Sequence, residues 1–111
     1  MGINTEQAKT LTGASNTILL NGDCTYLQVT IYGRNTGTVT PTVRPLLEKN
    51  AEADFLADEF EGVEDGAIDL SVSPRKRTFT VEVKRLSALK LADSGSGTYK
   101  AHIRQWGRAN N

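Results

Sequence analysis

Residues Thr25–Val43, TYLQVTIYGRNTGTVTPTV, constrain the fold more than any other stretch of the chain. In an extended backbone, Leu27, Val29 and Ile31 fall on one side, and Tyr26, Gln28, Thr30 and Tyr32 on the other. A polar break, Gly33-Arg34-Asn35-Thr36-Gly37, ends that segment, after which Val39, Pro41 and Val43 alternate with Thr38, Thr40 and Thr42. Two period-two segments around a Gly/Asn loop, filled with β-branched residues, predict a β-hairpin to which later strands are added.

The rest of the chain continues in the same style. Asn16–Leu20 is a short apolar strand followed by Asn21-Gly22-Asp23. Asn-Gly is a strong hairpin signal, which predicts pairing of this strand with Cys24–Tyr32. Pro41 and Pro45 each lack a backbone donor, so their strand is expected at a sheet edge or with a bulge. Ala67–Val72, Thr78–Leu86, Ala88–Leu91 and Thr98–Trp106 alternate again, with turns at Ser73-Pro74-Arg75-Lys76 and Asp93-Ser94-Gly95-Ser96-Gly97. Residues 50–61 are ambiguous. Asn50 could cap a short helix with Phe55 and Phe60 facing inward, or Phe55–Phe60 is a ragged strand, which is favoured because the apolar spacing keeps a helical period poorly. Seven to eight strands at about ten-residue spacing predict an all-β domain, a two-sheet antiparallel sandwich or small barrel.

With 111 residues there is room for one domain, 15–106, preceded by an extended arm, 1–14, and followed by a polar tail, 107–111. Of that arm, Met1–Ala14, only Ile3 and Leu11 are large and apolar. It either adds a strand to its own domain or is held by a neighbouring subunit, and both readings stay open. Thirteen basic and thirteen acidic residues cancel, which argues against general binding to nucleic acid or an anionic membrane. The single cysteine, Cys24, cannot form an internal disulfide. The first residues lack the basic and apolar regions of a secretory signal, so a soluble product made in a cytoplasm is expected.

Reactive chemistry finds little support. The one histidine, His102, lies mid-strand beside Lys100 and Arg104, with no carboxylate to orient it in local sequence. One Cys and one His do not make a zinc site, and the acidic run Asp58–Gly66 lacks the ligand spacing of a calcium loop. No enzyme activity, cofactor or metal is therefore expected. Charge is nonetheless unevenly placed. Glu48–Asp69 holds nine of the thirteen acids against one base, and nine of the thirteen bases lie after position 74. Besides surface pairing within one domain, an acidic face of one copy meeting a basic face of another subunit would explain this. Trp106, flanked by Arg104 and Arg108, either covers one end of the core or anchors a partner.

The run Leu27–Val43, with its Gly-bounded loop and Gly37-Thr38-Val39-Thr40-Pro41, resembles small tailed-phage virion proteins of the capsid decoration, or cementing, kind. Thr78–Val83, Leu89–Leu91, Ser94-Gly95-Ser96-Gly97 and Tyr99–Ile103 are similar to their closing strands. The resemblance implies a jelly-roll-like sandwich that sits in repeated copies on the assembled shell and stabilises it. Its partners would be the major capsid protein or other virion subunits, and it would carry no catalytic residue. Contacts would come through strand addition by the arm (Ile3, Leu11) and through charged or aromatic handles (Arg75, Lys76, Arg77, Arg104, Trp106, Arg108). Two alternatives are a neck or tail structural protein and a carbohydrate-binding β-sandwich in which Tyr26, Tyr32 and Trp106 stack on sugar rings.

Overall fold

The computed structural model describes residues 4–47, 51–56, 60, 66–71, 77–82, 86–95 and 97–107. The strands are β1 (Asn4–Leu11), β2 (Ser15–Leu19), β3 (Tyr26–Tyr32), β4 (Thr38–Leu47), β5 (Ala51–Glu52), β6 (Ile68–Asp69), β7 (Arg77–Glu82), β8 (Leu86–Asp93) and β9 (Tyr99–Trp106), and apolar and polar residues alternate most clearly in β3, β4 and β7. They make two antiparallel sheets. The first has the order β1-β9-β3-β7 and the second β2-β8-β4, with β6 and the two-residue β5 both on the outer edge of β4. With β5 set aside, eight strands lie in two four-stranded sheets, 1-9-3-7 over 2-8-4-6, which is jelly-roll topology.

That order overturns both expected hairpins. β3 pairs with β9 and β7, not with β4, and β2 pairs with β8, not with β3. Both loops cross from one sheet to the other. At the first crossing Gly33 and Gly37 take φ of 90° and 81°, and Gly37 packs on Gly95 so closely that a Cβ there would lie 2.9 Å from the Gly95 Cα. At the second, the Gln105 side chain clamps Asn21: it accepts from the Asn21 N–H at 2.8 Å and donates to the Asn21 carbonyl at 3.0 Å. The Asn21 side chain accepts in turn from the Asp23 N–H. Asn-Gly therefore serves a bend between layers. Gln105, 2% exposed, satisfies backbone groups that a hairpin ladder would otherwise have paired.

Inward residues from both sheets interlock: Leu27, Val29 and Ile31 of β3 and Ile103 of β9 face Val39 and Val43 of β4 and Leu89 and Leu91 of β8. Phe60 packs edge-on against Phe79 with centroids 4.9 Å apart. The proline expectation is met at Pro45, where the β4–β8 register shifts and the prolyl carbonyl accepts from Ala53 N–H. In residues 50–61 the described part is extended, with no helix: β5 pairs with the end of β4, and Leu56 exchanges two backbone hydrogen bonds with Val43. Phe55 faces outward instead of inward, lying over the second sheet between Arg44 and Lys90.

Three crossings meet at one end of the sandwich, and a buried ion pair ties them. Arg34, from the β3–β4 crossing, donates to both oxygens of Asp93 at the end of β8, at 2.6 and 2.5 Å, and its Nε donates to the Thr36 carbonyl. The two side chains are only 7% and 1% exposed. The guanidinium lies 5.2 Å from the centre of the Tyr99 ring, and the Asp93 N–H reaches across to the Ala14 carbonyl. Pairing with Arg34 holds the Asp93 carboxyl below the usual carboxylate range, against the opposing effect of burial.

Candidate functional site

Alternation along β3 and β9 leaves the first sheet with one outward face. On the first sheet, β9 presents Lys100, His102, Arg104 and Trp106 outward, while Tyr99, Ala101, Ile103 and Gln105 are buried. Register places Trp106 beside Tyr26, and the two rings stack with centroids 5.2 Å apart and planes 16° from parallel. Arg104 lies over Trp106 at 5.0 Å. Gly107 turns the chain away at φ 77°, and a Cβ there would come within 3.1 Å of the Tyr26 ring. Trp106 is thus an outward aromatic in a Tyr–Trp–Arg stack and not a lid on the core.

His102 Nε2 lies 3.4 Å from a carboxylate oxygen of Glu6, which β1 supplies from nearly a hundred residues away. Both groups are well exposed on a flat sheet, and the cross-strand neighbours of His102 are Ala8 and Thr30. The pair has the character of a surface contact. Among the described residues, no three side chains of the His, Cys, Asp and Glu types converge as a metal site would require. Cys24 is 3% exposed, and burial, then the nearby Asp23 charge, raises its thiol pKa.

The N-terminal stretch, expected as an arm, is the edge strand β1, paired with β9 along its whole length from Asn4↔Trp106 to Leu11↔Tyr99. Leu11 is accordingly a core residue and not a contact handle: its position opposite Tyr99 points it between the sheets. Thr5, Gln7 and Lys9 share that inward direction, but they stand where the sandwich runs out and stay wholly or partly exposed. Gln7 Nε2 donates to the Leu19 carbonyl and so bridges the edges of the two sheets.

Of the other expected contact residues, Arg104 and Trp106 stand together on the first sheet's outer face, and Arg77 opens β7 opposite Ile31. Ile3, Arg75, Lys76 and Arg108 lie outside the described residues. Among the described residues, the late bases Lys90, Lys100 and Arg104 do not share one face. Lys100 and Arg104 belong to the outer side of the first sheet and Lys90 to that of the second, where Arg44 also pairs with Glu52 at 3.1 Å. Tyr32 sits at the far end of β3 from Tyr26, about 20 Å along the strand. The three aromatics proposed for sugar stacking therefore share no platform, and Tyr26 and Trp106 turn their faces to each other.

The two packed sheets and their strand order define an all-β sandwich of jelly-roll type. No protein-family model matches the chain, and no curated protein matches it in sequence. Two solved structures share its fold. One is a chain of the Bacillus endospore appendages, a family of disulfide-linked pili: TM-score 0.57, 10% identity, covering 98% of this chain and 89% of that one. The other is the SPBc2 prophage-derived protein YomS: TM-score 0.61, 11% identity, covering 95% and 96%. At such identities the likeness is one of fold.

Proposed function

We propose that the chain is a non-catalytic structural protein of a tailed phage, a capsid decoration subunit that binds the assembled shell in repeated copies and stabilises it. The observation that carries this reading is the shared fold. The same jelly roll, over nearly the full length of each chain, occurs in a prophage-derived protein and in a subunit of a polymeric appendage. The outward Tyr26–Trp106–Arg104 stack supplies aromatic and guanidinium groups of the kind that anchor interfaces. Charge complementarity between the acidic 48–69 stretch and basic positions after 74 would set orientation.

Contacts between copies or with the shell are non-covalent in this reading. The appendage family is disulfide-linked, but the one cysteine of this chain is buried with a raised thiol pKa. A second reading, a subunit of a neck, tail or other filament, is favoured by the polymeric nature of the appendages. The experiment is co-sedimentation with procapsids at rising ionic strength. Binding lost by several hundred millimolar salt supports shell decoration through charge. Absence of binding at low salt, with filaments in electron micrographs of the protein alone, selects the second reading.

A further inference from the structure

We propose that β1 is an exchangeable strand: Asn4–Leu11 of one copy takes the place of the same strand in a second copy, along the edge of that copy's β9. The inference rests on the reading that the chain works in repeated copies, and it names the surface through which copies join. Its first support is how β1 is held. In β3 and β9 every second side chain is buried, whereas in β1 only Leu11 is. What fixes the strand is an eight-rung backbone ladder from Asn4↔Trp106 to Leu11↔Tyr99. Backbone bonds do not distinguish one copy from another, and neither do the two side-chain contacts, Gln7 to the Leu19 carbonyl and Glu6 to His102. Exchange would conserve all of these contacts and leave no buried group unpaired.

The connection to β2 supplies the hinge. Only Thr12, Gly13 and Ala14 separate the two strands, and Gly13 sits at φ 94° with no atom within 4 Å of where a Cβ would stand. Gly13 can pass to an extended conformation at little steric cost, which would swing β1 away from its own sheet. The turn is closed by a side-chain bond from Asn16 to the Thr12 carbonyl. Replacement is favoured over simple addition by Lys9. Its side chain points to the inner side of the sheet, opposite buried Ala101, yet stays exposed, and an inward charge on an edge strand obstructs a further strand beside it.

Ala8 and His102 face each other across β1 and β9, so cysteines at these positions would report which copies are paired. Ala8→Cys protein and His102→Cys protein are mixed, unfolded, refolded together at high concentration and oxidised. Each variant alone controls for coupling through Cys24, and a chain carrying both changes shows that the pair can couple. Exchange predicts a cross-linked heterodimer on a non-reducing gel, well above either control. A blank mixture beside a cross-linked double variant overturns the proposal. Independently, Gly13→Val penalises the closed turn and should raise the dimer fraction in light scattering roughly tenfold. A strictly monomeric Gly13→Val protein that melts like the parent also overturns it. Neither assay contains capsid, so failure of shell binding would not be mistaken for failure of exchange.

Discussion

Replacing Asp93 by Asn keeps the shape but removes one charge and one of the two acceptor oxygens from a pair that is almost fully sealed. In the parent protein the Arg34 guanidinium, 7% exposed, meets both carboxylate oxygens, and the Gly95 N–H also donates to Asp93. In Asp93→Asn the guanidinium stays charged, because even at high pH it does not titrate, and it stays buried against Tyr99. Breaking a buried pair from one side costs about 3–5 kcal/mol, against a total stability of roughly 5–15 kcal/mol for a domain. For a chain of 111 residues, each kcal/mol moves the melting temperature by about 4 °C, so a fall of roughly 12–20 °C is expected. Circular dichroism melts at pH 7 measure it. The pH dependence has a definite sign: pairing lowers the folded pKa of Asp93, so its contribution is complete above the unfolded value near 3.9 and is lost as pH falls below that. The difference between parent and variant should be flat from pH 5 to 8 and shrink below about pH 4. Arg34→Met with Asp93→Leu removes both charges and should recover much of the loss. A melt of Asp93→Asn within about 3 °C of the parent at pH 7 would refute the reasoning, since it would mean that the pair is solvated or dispensable.

Three further expectations concern the crossings and the thiol. Gly37→Ala adds a Cβ at φ 81° and 2.9 Å from the Gly95 backbone, and should lower the urea midpoint by the equivalent of about 1–3 kcal/mol. An unchanged midpoint would show that the two loops do not pack as described. Gln105→Leu removes the acceptor of the Asn21 N–H and one of the two donors to its carbonyl, and should cost about 1–3 kcal/mol in the same titration, more than a surface Gln28→Leu control. Cys24 should resist a thiol reagent at pH 8 in the native protein and react fully in urea, because burial and Asp23 raise its pKa; rapid native labelling would contradict this.

Strand identity was legible in the residues, and strand partnership was not. Leu27, Val29 and Ile31 announce an inward face, and burial agrees at every one of them. The same holds for Phe79, Val81 and Ile103. Gly33–Gly37 and Asn21-Gly22 announce that the chain must turn, yet left-handed glycines such as Gly33 and Gly37 serve a hairpin and a step between layers equally well, and the dipeptide Asn-Gly does not say which of the two it makes. What decides between them is far away in sequence: Asp93 captures Arg34 from 59 positions on, and Gln105 captures Asn21 from 84. Local pattern holds no trace of either contact. Leu11 was misplaced for a related reason. In an otherwise polar stretch one leucine reads as a handle, and only the register with Tyr99 shows that it is the single inward anchor of β1. Pro45 succeeded because its missing donor is a local fact, which acts wherever the strand ends up.

The pairing of the first strand with the last has a consequence during synthesis. The edge that receives Asn4–Leu11 belongs to β9, which begins only at Tyr99. At about 5–20 residues per second the ribosome needs roughly 5–20 s to cover the intervening residues, and longer to clear its exit tunnel. Once the β1 segment has emerged from the tunnel, it waits for the rest of that time with its own acceptor not yet made. On a polysome, finished siblings stand close by.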